Sequence, residues 1–280
     1  MSSTIHSILN QAISQLSVES DSPVLDVELL LAHALGKPRI YLHTWPEREV
    51  PKDIQAQFET LLARRTMGEP IAYLLGTQEF WSLTLSVTPD TLIPRPETEL
   101  LVEQALTHIA DDDAAKLLDL GTGSGAIALA IAKERPRCQV LAADSSQKAL
   151  AIASTNAKTL QLNNVEFILS NWFEAIPTQT FDLIVSNPPY IAQDDPHLKL
   201  GDVRFEPDTA LVSGPDGLND IRQLIQQAPA YLNKGGWLLL EHGYDQADAV
   251  CALLTAAGFV NICDYQDLGG QARVAVGQFQ

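Results

Sequence analysis

The chain has 280 residues, 46% of them apolar, which is typical of a globular protein and sufficient for one large domain and a smaller one. Its 18 basic and 35 acidic residues give a net charge of −17, with 12 basic and 26 acidic residues from Gly76 onward. This charge disfavours strong nucleic-acid binding, which depends on basic side chains that neutralise phosphates.

Membrane and secreted proteins are also disfavoured. The longest uninterrupted apolar run, 126–132, is far short of the roughly 18 residues that span a bilayer. The N-terminus lacks the basic and apolar blocks of a signal peptide. Cys138, Cys251 and Cys263 form no Cys-x-x-Cys pair, which favours reduced thiols over a disulfide framework or zinc site. We therefore expect a cytoplasmic protein without a structural metal.

Residues 1–75 are predicted to form a small helical bundle. Apolar residues recur at three- and four-residue spacing from Ile5 to Leu16. A second helix is predicted to begin at Ser22-Pro23 and to end at Gly36, and a third to run from about Asp53 to Arg65. This segment contains no catalytic pattern.

Residues 76–95 are predicted to form a β-hairpin that links two domains. Polar and apolar residues alternate from Phe80 to Val87, and 92–96 is too rich in proline for a helix interior. A helix is expected to begin between Pro96 and Thr98 and to end near Ile109.

Strands and helices alternate after Ala114, which predicts a doubly wound, mostly parallel sheet in a domain of residues 96–280. Ligands of such sheets bind at the carboxyl ends of the strands. Strands are predicted at Lys116–Leu120, Gln139–Ala143, Val165–Leu169, Phe181–Ser186, Trp237–Glu241, Phe259–Tyr265 and Arg273–Gly277, with helices from Ser124, Gln147, Leu218 and Gln246.

A glycine-rich loop follows the first of these strands. Gly121, Gly123 and Gly125 let the backbone turn tightly and approach a ligand closely. Gly121, Gly123 and Ala126 also fit the G-x-G-x-x-G/A pattern of dinucleotide enzymes, with Asp144 placed to bind ribose hydroxyls in either case. Asp119, two residues before the loop, favours the cationic end of S-adenosylmethionine over a pyrophosphate.

The tetrapeptide Asn187-Pro188-Pro189-Tyr190 follows an apolar strand that ends at the same edge. The Asn187 side-chain oxygen and the Pro188 carbonyl can accept hydrogen bonds from a planar NH₂ group, and Tyr190 offers a flat apolar face. The prolines stiffen the loop and remove competing donors. This pattern predicts methylation of an amide or amino nitrogen, which needs alignment of the acceptor and no metal or covalent intermediate.

These motifs, taken together, resemble those of the release factor glutamine methyltransferases, the HemK/PrmC family. The resemblance covers nearly the whole chain and includes Glu69–Leu74, Gly76 with Phe80, and Leu92–Glu99. It implies a Rossmann-like class I methyltransferase domain with a seven-stranded sheet. The implied reaction methylates the glutamine side-chain amide in the Gly-Gly-Gln motif of class 1 peptide chain release factors, and the implied role of the helical domain is to dock that substrate.

The resemblance also implies roles for single positions. The cofactor would lie in the loop formed by Gly121, Thr122, Gly123, Ser124 and Gly125. Asp144 would hold its ribose and Trp172 would border its adenine. Asn187 would meet both cofactor and substrate, and Pro188, Pro189 and Tyr190 would line the glutamine slot.

Four residues receive no firm role. Asn171 stands where the family is expected to have aspartate, although its oxygen can still accept a bond from the adenine amino group. Arg95 and Glu97 fit either a contact that orders the active site or the partner, or an ordinary salt bridge. His242 invites assignment as a general base, but the proton of the product amide can leave to water.

Three other functions fit parts of the sequence. One is a non-catalytic cofactor-binding partner of the translation machinery, which the intact Asn187–Tyr190 motif disfavours. An amino-methyltransferase for adenine or guanine would use the same acceptor geometry, with base flipping for duplex substrates. A dinucleotide-dependent oxidoreductase would use the same glycine loop, but it leaves Asn187–Tyr190 unexplained.

Overall fold

The computed structural model describes residues 3–16, 20, 22–111 and 114–280, which form two compact units. The first unit spans Met1–Thr77 together with His197–Phe205, and the second spans Gln78–Pro196 and Glu206–Gln280. The excursion of 197–205 into the first unit was not anticipated from the sequence. None of the described helices combines the length and apolar character that a membrane crossing requires.

The first unit is a bundle of helices, as predicted. Its core is formed by the apolar faces of the longer helices, including Ile5, Leu30 and Phe58. The helices are α1 (Ile5–Leu16), α2 (Pro23–Leu35), α3 (Ile40–Thr44), α4 (Lys52–Thr66) and α5 (Ile71–Leu75).

One buried cation organises this unit. Arg65 Nε donates to Asp26 Oδ2 at 2.8 Å, and Arg65 Nη1 donates to Asp202 Oδ1 at 2.9 Å. Nη1 also donates to the carbonyl oxygen of Glu69 at 3.1 Å. Because a buried charge is tolerated only when it is paired, these contacts hold 197–205 against α2 and α4.

A two-stranded hairpin of β1 (Thr77–Phe80) and β2 (Leu83–Ser86) follows the bundle. The strands are joined by Trp81 and Ser82, whose φ angles of 51° and 54° match the two-residue turn that suits strand twist. The Trp81 backbone N–H donates to Glu99 Oε1 at 2.7 Å. The sequence predicted a hairpin, but its alternation of polar and apolar residues did not show where the turn lies.

The second unit contains the predicted α/β sheet. Its strand order is β5-β4-β3-β6-β7-β9-β8. The first five strands in this order are parallel to one another, and β9 is antiparallel to both of its neighbours. The strands are β3 (Lys116–Leu120), β4 (Gln139–Asp144), β5 (Val165–Leu169), β6 (Phe181–Ser186), β7 (Leu232–Glu241), β8 (Val260–Gln266) and β9 (Ala272–Gln278).

Helices cover both faces of the sheet and account for its apolar strands, which are buried on two sides. The expected helix at 96–109 is a 3₁₀ turn, Pro96–Thr98, followed by a shorter α-helix. The α-helices are α6 (Glu99–Thr107), α7 (Ala126–Glu134), α8 (Gln147–Thr159), α9 (Asn219–Gln227) and α10 (Ala247–Ala256).

The buried side chain of Asn156 joins the hairpin to the glycine loop. Its Oδ1 accepts from the Ser86 N–H at 2.8 Å, and its Nδ2 donates to the carbonyl oxygens of Ser86 and Ser124 at 3.0 and 2.9 Å. A single amide on α8 thus satisfies three backbone groups on two other segments.

We expect Asn156→Ala to lower the free energy of unfolding by about 2–4 kcal/mol, because it leaves these backbone groups without their partner. Urea denaturation followed by circular dichroism measures the change. Asn163→Ala, at an exposed position seven residues further along the chain, is the matched control and should have little effect. Equal stability of the two variants would contradict the role of Asn156.

Candidate active site

A cleft of about 530 Å³ lies at the carboxyl ends of β3, β4 and β6. Two segments that the sequence analysis did not place at the site, 89–92 and part of 207–212, also line it. The predicted site residues on its wall are Gly121, Gly123, Asp144, Trp172, Asn187 and Pro189.

The glycine loop is shaped by backbone hydrogen bonds and left-handed residues. The N–H groups of Gly121 and Thr122 both donate to the Ala143 carbonyl at 2.9 Å. Gly121 has a φ of 76°, and a Cβ there would lie 3.4 Å from the Trp172 ring. Gly125 has a φ of 87°, and a Cβ there would lie 3.0 Å from Leu129. Side chains at these two positions would be strained and crowded.

Asp144, at the end of β4, holds the tip of this loop. Its Oδ2 accepts from the Gly123 N–H, and its Oδ1 accepts from the Ser146 N–H, each at 2.8 Å. Burial raises the pKa of this carboxyl above its usual value, while the backbone N–H groups oppose the shift. Each oxygen keeps accepting capacity toward the cleft, so Asp144 can bind hydroxyl groups there.

Asp119 lies beneath the loop and not on the cleft wall. Its Oδ2 accepts from Thr122 Oγ1 at 2.7 Å, so Asp119 and Thr122 brace the loop from below. Burial raises the pKa of Asp119 to about 7, and the nearby Asp144 contributes in the same direction. Ser124 is likewise buried at the start of α7, where its carbonyl accepts from Asn156.

Trp172 forms part of the cleft wall next to the glycine loop. Its φ of 49° is uncommon for a residue other than glycine, and such conformations persist where surrounding contacts hold them. Trp172 Nε1 donates to Asp220 Oδ1 at 3.0 Å, and Asp220 Oδ2 accepts from Ser213 Oγ at 2.6 Å. The indole plane is therefore fixed beside Gly121, where it can border a planar ring.

The Asn187–Tyr190 segment leaves β6 next to the glycine loop. Asn187 Nδ2 donates to Thr98 Oγ1 at 3.2 Å, whereas Asn187 Oδ1 is buried and has no hydrogen-bond partner among the described residues. Tyr190 donates its hydroxyl to Glu241 Oε1 at 3.4 Å. Gln246 Nε2 donates to the Tyr190 carbonyl at 3.0 Å, which fixes the end of the segment.

Thr98, Glu206, Asp220 and Glu241 were not singled out from the sequence. Glu241 gave a usable signal, because it is an acid that ends an apolar strand at the carboxyl edge, as Asp144 does. Burial raises its pKa to about 7. Glu206 is buried and accepts from the Ile93 N–H at 3.0 Å, but its partners lie more than a hundred residues away in the chain.

The structure shows the surroundings of the four residues that had no firm role from the sequence. Arg95 pairs with Glu206, whereas Glu97 is exposed. Asn171 lines the cleft and donates from Nδ2 to Glu174 Oε1 at 2.8 Å. His242 is buried, with Nε2 2.6 Å from Asp264 Oδ2 and Nδ1 2.8 Å from the Gly243 carbonyl. Both its ring nitrogens thus have other partners, which disfavours a general-base role.

Comparison with known proteins finds relatives that match nearly the whole chain. Residues 7–76 match the PrmC N-terminal domain family, and residues 96–206 match the methyltransferase small domain family. The chain is 56% identical to the release factor glutamine methyltransferase of Pseudomonas aeruginosa over 93% of this chain and 94% of that protein. It is 53% identical to the Vibrio cholerae enzyme of the same name over 100% and 98%.

A solved structure has a similar fold over most of this chain. It is a Thermus thermophilus 16S rRNA N2 methyltransferase in complex with AdoMet and guanosine. The TM-score is 0.55 at 19% identity, over 73% of this chain and 50% of that one. At this identity the likeness concerns the fold alone.

We expect Asp119→Asn to remove a pH dependence of stability. The folded state keeps the Asp119 proton up to about pH 7, whereas the unfolded chain releases it near its ordinary value. The folded state binds more protons in between, so wild-type stability falls as pH rises through this window. Relative to the wild type, the variant should gain about 2 kcal/mol between pH 5 and pH 8, as measured by urea denaturation. A difference that does not change with pH would refute the assignment.

Proposed function

The chain belongs to the release factor glutamine methyltransferase family, and on this basis we propose that it methylates the glutamine side-chain amide nitrogen in the Gly-Gly-Gln motif of class 1 peptide chain release factors, with S-adenosyl-L-methionine as methyl donor. Such a modification modulates translation termination. The observation that carries the proposal is the buried, unpartnered Asn187 Oδ1 beside the glycine loop, since it is an acceptor suited to an amide NH₂.

The residues of the cleft fit the cofactor. Close-approach glycines at Gly121–Gly125 suit a nucleoside, Asp144 suits its ribose hydroxyls, and the immobilised Trp172 suits its adenine ring. A cation bound above the loop would favour ionisation of the buried Asp119 carboxyl beneath it, whereas a phosphate there would oppose it. When bound, S-adenosylmethionine supplies an electrophilic methyl group on a sulfonium centre.

The chain's own residues then act on the substrate amide. An amide nitrogen is a poor nucleophile because its lone pair is delocalised into the carbonyl group. We propose that Asn187 Oδ1 and the Pro188 carbonyl accept its two hydrogens, while Pro189 and Tyr190 hold its plane in line for transfer. These acceptors stabilise the positive charge that develops on nitrogen, so they bind the transition state better than the ground state.

We propose that three segments of the chain have different functions. Residues 1–75 dock the release factor, 76–95 link the domains, and 96–280 carry cofactor binding and catalysis. The helical segment has no catalytic motif, and it matches a domain named for this family. A cytoplasmic location is proposed as well, since release factors act in translation there.

Methylation of nucleic acid is not favoured. The relatives named above carry the glutamine activity in their names, and the net charge of −17 disfavours a phosphate-rich substrate. The deciding experiment incubates the protein with labelled S-adenosylmethionine and either purified release factor or RNA. Mass spectrometry should find one added methyl group on the glutamine of the Gly-Gly-Gln peptide, and label in RNA alone would overturn the proposal.

Asn187→Ala is expected to lower kcat by about 10²–10³-fold, because it removes an electrostatic stabiliser of the transition state. Cofactor affinity, measured by calorimetry, should fall less than kcat does. Asn163→Ala is the control for a surface asparagine. A variant that turns over at the wild-type rate would exclude the assigned role of Asn187.

Asp144→Asn should mainly weaken cofactor binding, by about 10- to 100-fold, which is the contribution of a charged hydrogen-bond acceptor. Calorimetric titration with S-adenosylmethionine gives the dissociation constant directly. Glu166→Gln, which removes an exposed carboxylate from the neighbouring strand β5, is the matched control. If both variants bound the cofactor equally well, Asp144 would not hold the ribose.

A further inference from the structure

The Tyr190 carbonyl oxygen is enclosed by two residues from other parts of the chain. Gln246 Nε2 donates to this oxygen at 3.0 Å. Gly217 approaches it so closely that a Cβ at this position would lie 2.2 Å from the oxygen. Neither Gln246 nor Gly217 lines the cleft, and the mechanism above assigns them no role. The end of the Asn187–Tyr190 segment is thus fixed from outside the cleft.

The Asn187–Tyr190 segment depends on donors from elsewhere in the chain. Pro188 and Pro189 have no N–H group, so their backbone cannot donate hydrogen bonds that would hold the segment in place. The beginning of the segment is held by the sheet, because it directly follows Ser186 at the end of β6. Its last carbonyl lies beyond that strand and is held by the Gln246 side chain.

The Gln246 amide is itself oriented by backbone groups on both sides. The Gly243 N–H, which can only donate, donates to Gln246 Oε1 at 2.8 Å. The carbonyl oxygens of Tyr190 and Asp216, which can only accept, accept from Nε2 at 3.0 and 3.4 Å. A reversed amide would set its oxygen against two oxygens and its nitrogen against an N–H group. The fold therefore directs the Gln246 donor at Tyr190.

Gly217 encloses the Tyr190 carbonyl together with this donor. Its φ of 73° lies in the left-handed region that favours glycine. A Cβ at this position would also lie 2.8 Å from Gln246 Nε2. Because the nearest atom is a backbone oxygen and not the end of a flexible side chain, a side chain at position 217 would displace the Tyr190 carbonyl.

We propose that Gln246 and Gly217 are positioning residues for methyl transfer. Together they hold the Tyr190 carbonyl, and through the stiff prolines they keep Asn187 and Pro189 in place on the cleft wall. This inference rests on the proposed function. Transfer needs the substrate nitrogen in line with the methyl group, and a displacement of about 1 Å can lower the rate about 100-fold. Substitutions of the two residues should therefore lower kcat and leave cofactor affinity unchanged.

Two substitutions of Gln246 test the donor in the release factor assay. Gln246→Glu keeps the size and the acceptor for Gly243, but it sets a carboxylate oxygen against two carbonyl oxygens. Gln246→Met keeps the length and removes the hydrogen bonds. We expect kcat to fall about 10-fold in Gln246→Met and about 100-fold in Gln246→Glu, with the calorimetric affinity for S-adenosylmethionine unchanged. If Gln246 only filled space, the isosteric Gln246→Glu would be the milder change. Gln226→Glu, at an exposed position on α9, is the control for the added charge.

A matched pair of glycine variants tests the close approach. Gly217→Ala should lower kcat about 10- to 100-fold, because the new Cβ displaces the Tyr190 carbonyl. Gly270→Ala is the control, since Gly270 has a similar φ of 76° and a Cβ there would meet no atom within 4 Å. If Gly217→Ala does not fold, the order of the two Gln246 variants decides.

A further measurement needs no substrate. In protein labelled with fluorotyrosine, the ¹⁹F signal of Tyr190 is identified by its loss in Tyr190→Phe. This signal should shift in Gln246→Glu and stay in place in Gln226→Glu.

Three results would overturn the inference. They are a kcat of Gln246→Glu equal to or above that of Gln246→Met, equal kcat in the two glycine variants, and an unshifted ¹⁹F signal in Gln246→Glu. No glutamine methylation by the wild type would instead refute the proposed function, and the ¹⁹F signal would still decide whether Gln246 positions Tyr190.

Discussion

Parallel strands bring their carboxyl ends to one edge of a sheet, and the candidate site depends on this constraint. The adjacent strands β4, β3, β6 and β7 carry Asp144, Asp119, Asn187 and Glu241 at or just before or after those ends. Because β3 pairs directly with β6, with Leu120 opposite Ser186, the glycine loop and the Asn187–Tyr190 segment emerge side by side. Their spacing is thus set by the backbone ladder, and the intervening sequence can vary without changing it.

The same edge concentrates buried acids. Burial raises the pKa of Asp119, Asp144 and Glu241, so all three carboxyls are costly to keep ionised there. Backbone N–H groups and hydroxyls offset part of this cost, and no Lys or Arg pairs directly with any of the three among the described residues. A cationic ligand would relieve the remaining cost, whereas a pyrophosphate would increase it. This difference separates the present site from dinucleotide sites that share its glycine spacing.

Much of the fold follows from local pattern. The periodic helices and the apolar strands from β3 to β6 were predicted within one or two residues, since burial on a helical face or on both faces of a sheet leaves a direct trace in sequence. The five-residue helices α3 and α5 are too short for such a trace. Strand β7 begins at Leu232, whereas the sequence pattern predicted a start at Trp237. The prediction missed the first residues because Gly235 and Gly236 interrupt the apolar pattern.

The site was predictable only where its residues follow strand ends. Asn187, Asp144, Gly121 and Gly123 stand in local motifs, and the structure brings them to one cleft. Thr98 and Glu206 have no such motif, because their roles come from partners far away in the chain, such as Asn187 for Thr98 and Arg95 for Glu206. Asp119 was expected to face the ligand, but it is buried beneath the loop. Its spacing from the glycines in the sequence does not distinguish these two positions.

The Asn187 side chain connects the stability of the fold with the proposed catalysis. A buried amide oxygen without a partner costs roughly 1–3 kcal/mol, and native proteins rarely leave one in that state. Rotating the amide by half a turn would not help, because its nitrogen would then leave Thr98 and need a new acceptor. The hydrogen bond from Asn187 Nδ2 to Thr98 therefore holds the amide oxygen in its position. A ligand NH₂ group would be a suitable hydrogen-bond partner for this oxygen. We therefore propose that the substrate amide, a poor nucleophile in water, binds to an acceptor oxygen that folding has already removed from solvent.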